Sequence, residues 1–191
     1  MAAGAVQTLQ VSATEIADVK LLALRIHRDH RGFFSETYNK GELAKVGVNL
    51  EFVQDNHSLS VERGVVRGLH FQIPPFAQDK LVRVVRGAIF DVAVDIRRGS
   101  PTYGNHVARI ISAQEWNQFL VPIGFAHGFC TLEANTEVIY KVTNYYSPEH
   151  DRGVLWNDAD LRIAWPVEES EAVLSDKDRK QPRFSELPNY F

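Results

Sequence analysis

Hydrophobic and polar positions alternate most clearly over residues 80–96, where Phe90, Val92, Val94 and Ile96 take turns with Asp91, Ala93 and Asp95. A period of two sends successive side chains to opposite faces, so this run predicts a strand with one apolar face and one bearing polar groups. Further strand-like runs cover residues 19–26, 64–71, 106–111, 118–121 and 136–143. Turn signals separate them: Ile73-Pro74-Pro75, Arg98-Gly99-Ser100-Pro101, Pro122-Ile123-Gly124 and Ser147-Pro148. Helical patterning is weak and short, around residues 39–46 and in the polar tail after Pro166. Many short strands with frequent turns predict an all-β fold, a jelly-roll β-barrel with short peripheral helices.

Length and composition narrow the setting. At 191 residues the chain suits one domain spanning 1–191, with a jelly-roll core over about residues 20–165 and a C-terminal segment, 166–191, packing on it. The formal net charge of -3 offers no general attraction to nucleic acid or an anionic membrane. An anionic ligand must therefore be held by locally placed arginines and lysines. Cys130 is the single cysteine, which excludes an intrachain disulfide and predicts a reducing compartment. Residues 1–19 lack the basic start and apolar run of a leader, and no stretch reaches the length of a membrane span. The expected location is the cytoplasm.

Polar residues on inward-facing strand positions point to a cavity. A filled barrel is apolar inside, whereas one that holds a ligand presents functional groups there. His70 and Gln72 share a face, and Tyr140 interrupts a run of Val and Ile. Gly64, followed five residues later by His70, begins like the first metal motif of the cupin barrels, and Pro122-x-Gly124-x-x-His127 resembles the second. The metal version places another histidine two residues after the first and a carboxylate soon after. Here those places hold Gln72 and the pair Phe76-Ala77. Two histidines without a carboxylate make a poor divalent site, so no metal and no cofactor are expected.

Metal-free chemistry remains available. Lys80 follows His70 by ten residues across the Pro-rich turn, which suits the next strand of the same cavity. A neutral imidazole accepts a proton and a nearby ammonium stabilises an oxyanion, the parts needed to remove a proton α to a carbonyl. Inversion also needs a donor on the opposite face, and spacing does not choose between Tyr140, Tyr145 and Tyr146. Taken singly, His70 reads as a core histidine, Lys80 as a surface charge and Tyr140 as packing. It is their combination that suggests catalysis.

Seven blocks then coincide with one family. They are Asp29 to Phe34, Phe52 to Ser58, Arg67 to Gln72, Phe90 to Arg97, Gly124 to Phe129, Tyr140 to Pro148 and Leu155 to Asp158. In this order they resemble the dTDP-4-dehydrorhamnose 3,5-epimerase family from about Leu21 to Asp178. The resemblance implies His70 as base with Asp178 as its carboxylate partner, Tyr140 as proton donor, and Lys80 beside the enolate oxygen. A carboxylate on one ring nitrogen would fix the tautomer and raise the basicity of the other.

The nucleotide end maps in the same way. Arg31, Glu36, Gln54, Asn56, Arg67, His127 and Lys177 fall on substrate-contacting positions, and Tyr146 on the tyrosine that stacks against thymine. Arginine forks suit a diphosphate, and any aromatic face can stack on a base. The resemblance further implies a homodimer in which the N-terminal segment crosses to the partner, so that Arg31 and Glu36 serve the neighbouring site. Asp151 is a departure, standing where many members have glutamate on a ligand-facing carboxylate. The implied substrate is a dTDP-linked 4-keto-6-deoxyhexose, and the implied product dTDP-4-dehydro-L-rhamnose. Competing readings are a relative that inverts one carbon or moves the keto group, a non-catalytic carbohydrate-binding barrel, and a metal-dependent oxygenase.

Overall fold

The computed structural model describes residues 9–191; residues 1–8 of the stretch read as leader-free lie outside them. The elements in chain order are β1 (Leu9–Ser12), β2 (Lys20–Leu24), β3 (His27–Asp29), β4 (Gly32–Phe34), α1 (Lys40–Lys45), β5 (Gln54–Ser60), β6 (Val66–Gln72) and β7 (Lys80–Arg86). They continue with β8 (Ala88–Asp95), β9 (His106–Ser112), β10 (Asn117–Val121), β11 (Phe125–Thr131), β12 (Thr136–Val142) and β13 (Asp151–Gly153). One sheet has the order β1-β2-β10-β7-β12-β5 and the other β13-β6-β11-β8-β9, while β3 and β4 form a hairpin of their own. Neighbours distant in sequence, such as β2 with β10 and β5 with β12, are the mark of a jelly roll. The two sheets face each other without closing into one hydrogen-bonded barrel.

The run over residues 80–96 is two strands rather than one. It breaks at Gly87 (φ +77°), and β7 and β8 belong to opposite sheets. A Cβ at Gly87 would lie 2.4 Å from Thr136 Oγ1, so the crossing needs both the left-handed backbone and the missing side chain. The alternation in β8 is real, but its apolar face is not the inner one. Val92, Val94 and Ile96 pack outward with Leu161, Phe184 and Leu187 of the C-terminal segment. Ile89 and Ala93 point between the sheets, joining Val82, Val84, Phe119, Val121 and Val138. Asp91 and Asp95 share that inner face.

Helical expectations divide. Asn39 caps α1, its side chain accepting from the amides of Gly41 and Glu42, so the short helix falls where its pattern predicted. The tail after Pro166 instead forms single 3₁₀ turns at Asp178–Lys180 and Phe184–Glu186. Its helical pattern is too brief to outweigh the nucleation cost, and docking on the second sheet decides its course.

Candidate active site

At one end of the space between the sheets the apolar filling gives way to polar side chains. Gln54, Asn56, His70, Gln72, Gln78, Lys80, Tyr140, Tyr146 and Asp151 line a cavity of about 130 Å³. That volume holds a part of a nucleotide sugar at most, so the rest of such a ligand would lie along the rim.

His70 enters from β6 and its side chain is 30% exposed. Its Nε2 lies 2.5 Å from Asp178 Oδ1, across 108 residues of sequence. Asp178 opens a 3₁₀ turn, and its Oδ2 accepts from Ser175 Oγ at 2.8 Å. Burial alone would raise the Asp178 pKa. Hydrogen bonds from His70 and Ser175, with the His70 charge, outweigh it and hold the carboxyl below its usual value. With Nε2 engaged by this carboxylate, Nδ1 is the ring nitrogen left for a ligand.

Backbone geometry brings His70 to this place. A Cβ on Gly68 would stand 2.4 Å from Gly128 Cα, so β6 and β11 approach more closely than side chains would permit. His127 on β11 is the cross-strand partner of His70.

Lys80 opens β7 in the opposite sheet, and its Nζ donates to the His70 carbonyl at 3.2 Å. Burial lowers its pKa to about 8, against the opposing pull of Asp151 and Asp91. Tyr140 comes from β12, also in the first sheet, and burial raises its phenol above the ordinary value. The cavity therefore receives an imidazole from one sheet, and an ammonium and a protonated phenol from the other.

At the rim, Tyr146 is 57% exposed. Its amide donates to Gln54 Oε1 at 3.1 Å and its hydroxyl to Asp151 Oδ2 at 3.1 Å. Lys177 pairs with the same Asp151 oxygen. Gln54 Nε2 in turn donates to Asn56 Oδ1 at 2.9 Å.

The sequence profile of the dTDP-4-dehydrorhamnose 3,5-epimerases matches residues 13–186. The chain belongs to this family. It is thereby a member of a family of isomerases. It is 53% identical over 176 residues to a dTDP-4-dehydrorhamnose 3,5-epimerase of Sinorhizobium fredii, covering 92% of this chain and 90% of that one. Among solved structures, the Bacillus anthracis dTDP-4-dehydrorhamnose 3,5-epimerase, with TDP and PPi bound, is 54% identical with a TM-score of 0.89. The match covers 92% of this chain and 99% of that one. A dTDP-6-deoxy-D-glucose-3,5-epimerase of Legionella pneumophila, in complex with dTDP-4-keto-L-rhamnose, is 41% identical with a TM-score of 0.90. Here the coverage is 94% of this chain and 95% of that one.

Of the residues that the epimerase resemblance marks, His70, Asp178, Lys80, Tyr140, Gln54, Asn56, Tyr146, Asp151 and Lys177 converge on the cavity or its rim. Arg67 stands nearby on β6, anchored to Ser60 Oγ and the Leu59 carbonyl, and its charge reaches Tyr140. Three others stand apart. His127 is buried, its Nε2 held 2.6 Å from Asp91 Oδ1, and it does not line the cavity. Arg31 is exposed in the β3–β4 turn and paired with Asp29 at 2.5 Å. Glu36 is exposed beyond that hairpin and accepts from Asn39.

Sequence reasoning passed over Asp91, Ser175 and the loop contacts of Gln72. The signal for Asp91 was present, since a carboxylate on the inner face of a buried strand demands a partner.

Proposed function

We propose that this chain is a dTDP-4-dehydro-6-deoxy-D-glucose 3,5-epimerase that forms dTDP-4-dehydro-L-rhamnose without a metal or cofactor, as a single epimerase domain. One observation carries the reading: His70 and Tyr140 enter the cavity from opposite sheets, with Lys80 beside them. A sugar ring lying between the sheets offers one face to each.

His70, oriented by Asp178, takes the proton from C5 through Nδ1. The electron pair moves into the C4 carbonyl, and the Lys80 ammonium stabilises the enolate oxygen. Tyr140 then delivers its proton to C5 from the opposite face, and the configuration inverts. Solvent returns a proton to the tyrosine and removes one from the histidine, after which C3 follows the same course. The raised pKa of Tyr140 keeps the phenol protonated, as a donor must be. The diphosphate and nucleoside lie along Arg67, Lys177 and Tyr146, the aromatic face stacking on thymine.

The same reading includes a homodimer. Phe33 and Phe34 of the hairpin are 59% and 70% exposed, more than an isolated chain ordinarily tolerates in adjacent aromatics. A groove of about 540 Å³ runs beside them, past His57, Arg83 and Ile139 on the first sheet. A second copy covering this face would bury the phenylalanines and carry Arg31 and Glu36 toward a neighbouring cavity. Light scattering at micromolar concentration should return twice the chain mass, and a monomer mass would remove Arg31 from the site. A cytoplasmic location completes the reading, supported by the lone cysteine and the nucleotide-activated substrate. Among the described residues, no helix is long and apolar enough to cross a membrane.

Proton NMR with dTDP-4-keto-6-deoxyglucose in deuterium oxide tests the reaction. Deuterium should enter at C3 and C5, with inversion at both. Exchange at a single carbon would replace the reading by a mono-epimerase, migration of the keto group by a ketoisomerase, and no exchange by a binding protein.

A further inference from the structure

Gln72 lines the cavity but takes no part in the reaction just described. It ends β6, two residues after His70 on the same inward face, and is only 4% exposed. Its amide is committed to backbone. Nε2 donates to the Phe76 carbonyl at 2.6 Å and to the Tyr145 carbonyl at 3.1 Å. Oε1 accepts from the Ser147 amide at 2.7 Å.

These three groups belong to two loops, the turn from β6 to β7 and the segment after β12. Gln78 and Asn144 join the same loops nearer the outside, by bonds of 2.7 Å and 3.0 Å to the carbonyls of Asn144 and Pro75. Gln72 grips them from within the cavity wall. Between the two rim residues it holds stands Tyr146. An exposed ring offers a stacking surface only where the backbone beneath it is fixed.

We propose that Gln72 is a positioning residue for the nucleotide: by fixing the backbone of Tyr145 and Ser147 it sets the Tyr146 ring at the height where the base stacks. The inference rests on the proposed function, which places Tyr146 against that base. It assigns to Gln72 affinity rather than turnover. Lys80 is held independently, since its strand residue pairs with Val121 on one side and Val142 on the other. Loss of the Gln72 amide therefore loosens the rim and leaves the proton-transfer groups in register.

The test compares the wild type with Gln72→Met, Gln72→Glu, Tyr146→Ala and the double variant Gln72→Met/Tyr146→Ala. Calorimetric binding of dTDP is measured alongside KM and kcat on dTDP-4-keto-6-deoxyglucose. Gln72→Met should raise both Kd for dTDP and KM on the order of tenfold, because three backbone groups lose their partner. Its kcat should stay within about threefold of wild type. Gln72→Glu keeps the acceptor for Ser147 but turns an oxygen toward the Phe76 and Tyr145 carbonyls, so it should lose at least as much, and it provides the test if Gln72→Met does not fold. The double variant should bind dTDP about as weakly as Tyr146→Ala alone, since both changes remove one interaction.

Unchanged dTDP affinity in the Gln72 variants, or losses that add fully in the double variant, would overturn the proposal. So would a collapse of kcat at constant KM. A wild-type protein that binds no dTDP would sink the proposed function and this inference together, an outcome distinct from a wild type that binds and a variant that binds equally.

Discussion

Asp91 and Asp95 stand four residues apart on the inner face of β8, and both are wholly buried. They are satisfied in opposite ways. Asp95 accepts from Arg97 at Nε (2.9 Å), at NH2 (2.7 Å) and at the amide (3.0 Å). The hydroxyls of Ser100 and Thr102 donate to it as well, each at 2.6 Å. Burial would raise its pKa, but these bonds prevail and bring it to about 2. Asp91 has His127 at 2.6 Å, while its other oxygen is buried without a hydrogen-bond partner among the described residues. Its charge reaches Lys80 instead. One strand thus runs from a sealed end, where charge is neutralised for stability, to a working end, where charge is left to act on a neighbour.

Replacing His70 should separate the ends most sharply. His70→Asn should lower turnover by on the order of 10²–10⁴-fold or more and abolish deuterium exchange, because no enolate forms without the base. Tyr140→Phe should retain exchange from the His70 face while inversion collapses. Neither change should disturb the melting temperature greatly. A His70→Asn protein that melts early yet keeps its specific activity would erase the distinction.

Asp95→Ala should do the reverse. Leaving Arg97 without its buried carboxylate should cost on the order of 3 kcal/mol in chemical denaturation, with turnover per folded molecule close to wild type. The native Asp95 pKa lies below the ordinary value, so its contribution is complete above about pH 4 and fades as pH falls toward 2. Acid unfolding of the variant should lack that component.

Smaller effects probe the field on Lys80. The kcat/KM profile should fall above about pH 8 as its ammonium deprotonates. Asp151 and Asp91 hold the proton on and Lys177 opposes them, while His70 and Tyr140 share the cavity. Asp91→Asn should move the alkaline limb to lower pH. A limb that stays in place would mean that the Asp91 charge goes unfelt.

The smallest effect concerns the cost of the working end. Lys80→Met removes a half-buried cation, and despite lost activity it should gain about 1 kcal/mol, roughly 2–4 °C in Tm. Because the folded pKa is about 8 and the ordinary value 10.5, the unfolded chain binds the additional proton between them. Wild-type stability should therefore gain a rising component with pH through that window, and the variant should lack it.

The sequence displayed some of this organisation and concealed the rest for physical reasons. Strands β9, β10 and β12 stood out because patterned or apolar runs lay between clear turns. β5, Gln54 to Ser60, did not, because the face that lines the cavity is polar and the opposite face meets solvent. β11 is buried at every position and so has no alternation to detect. His70, Lys80 and Tyr140 could be picked out as chemistry, whereas the pairing of His70 with Asp178 required the family pattern. The partnership of Asp91 with His127 depends on register between strands, which local spacing does not encode. Arg31 and Glu36 belong to a surface that one chain leaves uncovered.

The 108 residues between His70 and Asp178 also have a meaning in time. A ribosome emits the histidine first, and at about 5–20 residues per second the carboxylate follows some 5–20 s later. By the end of that interval all the strands of both sheets have been made while the imidazole still has no partner. Polypeptides released early, before Asp178, would own much of the scaffold but lack the dyad. Under the proposed mechanism translation thus completes the dyad late, and fragments ending before Asp178 should not catalyse the epimerisation.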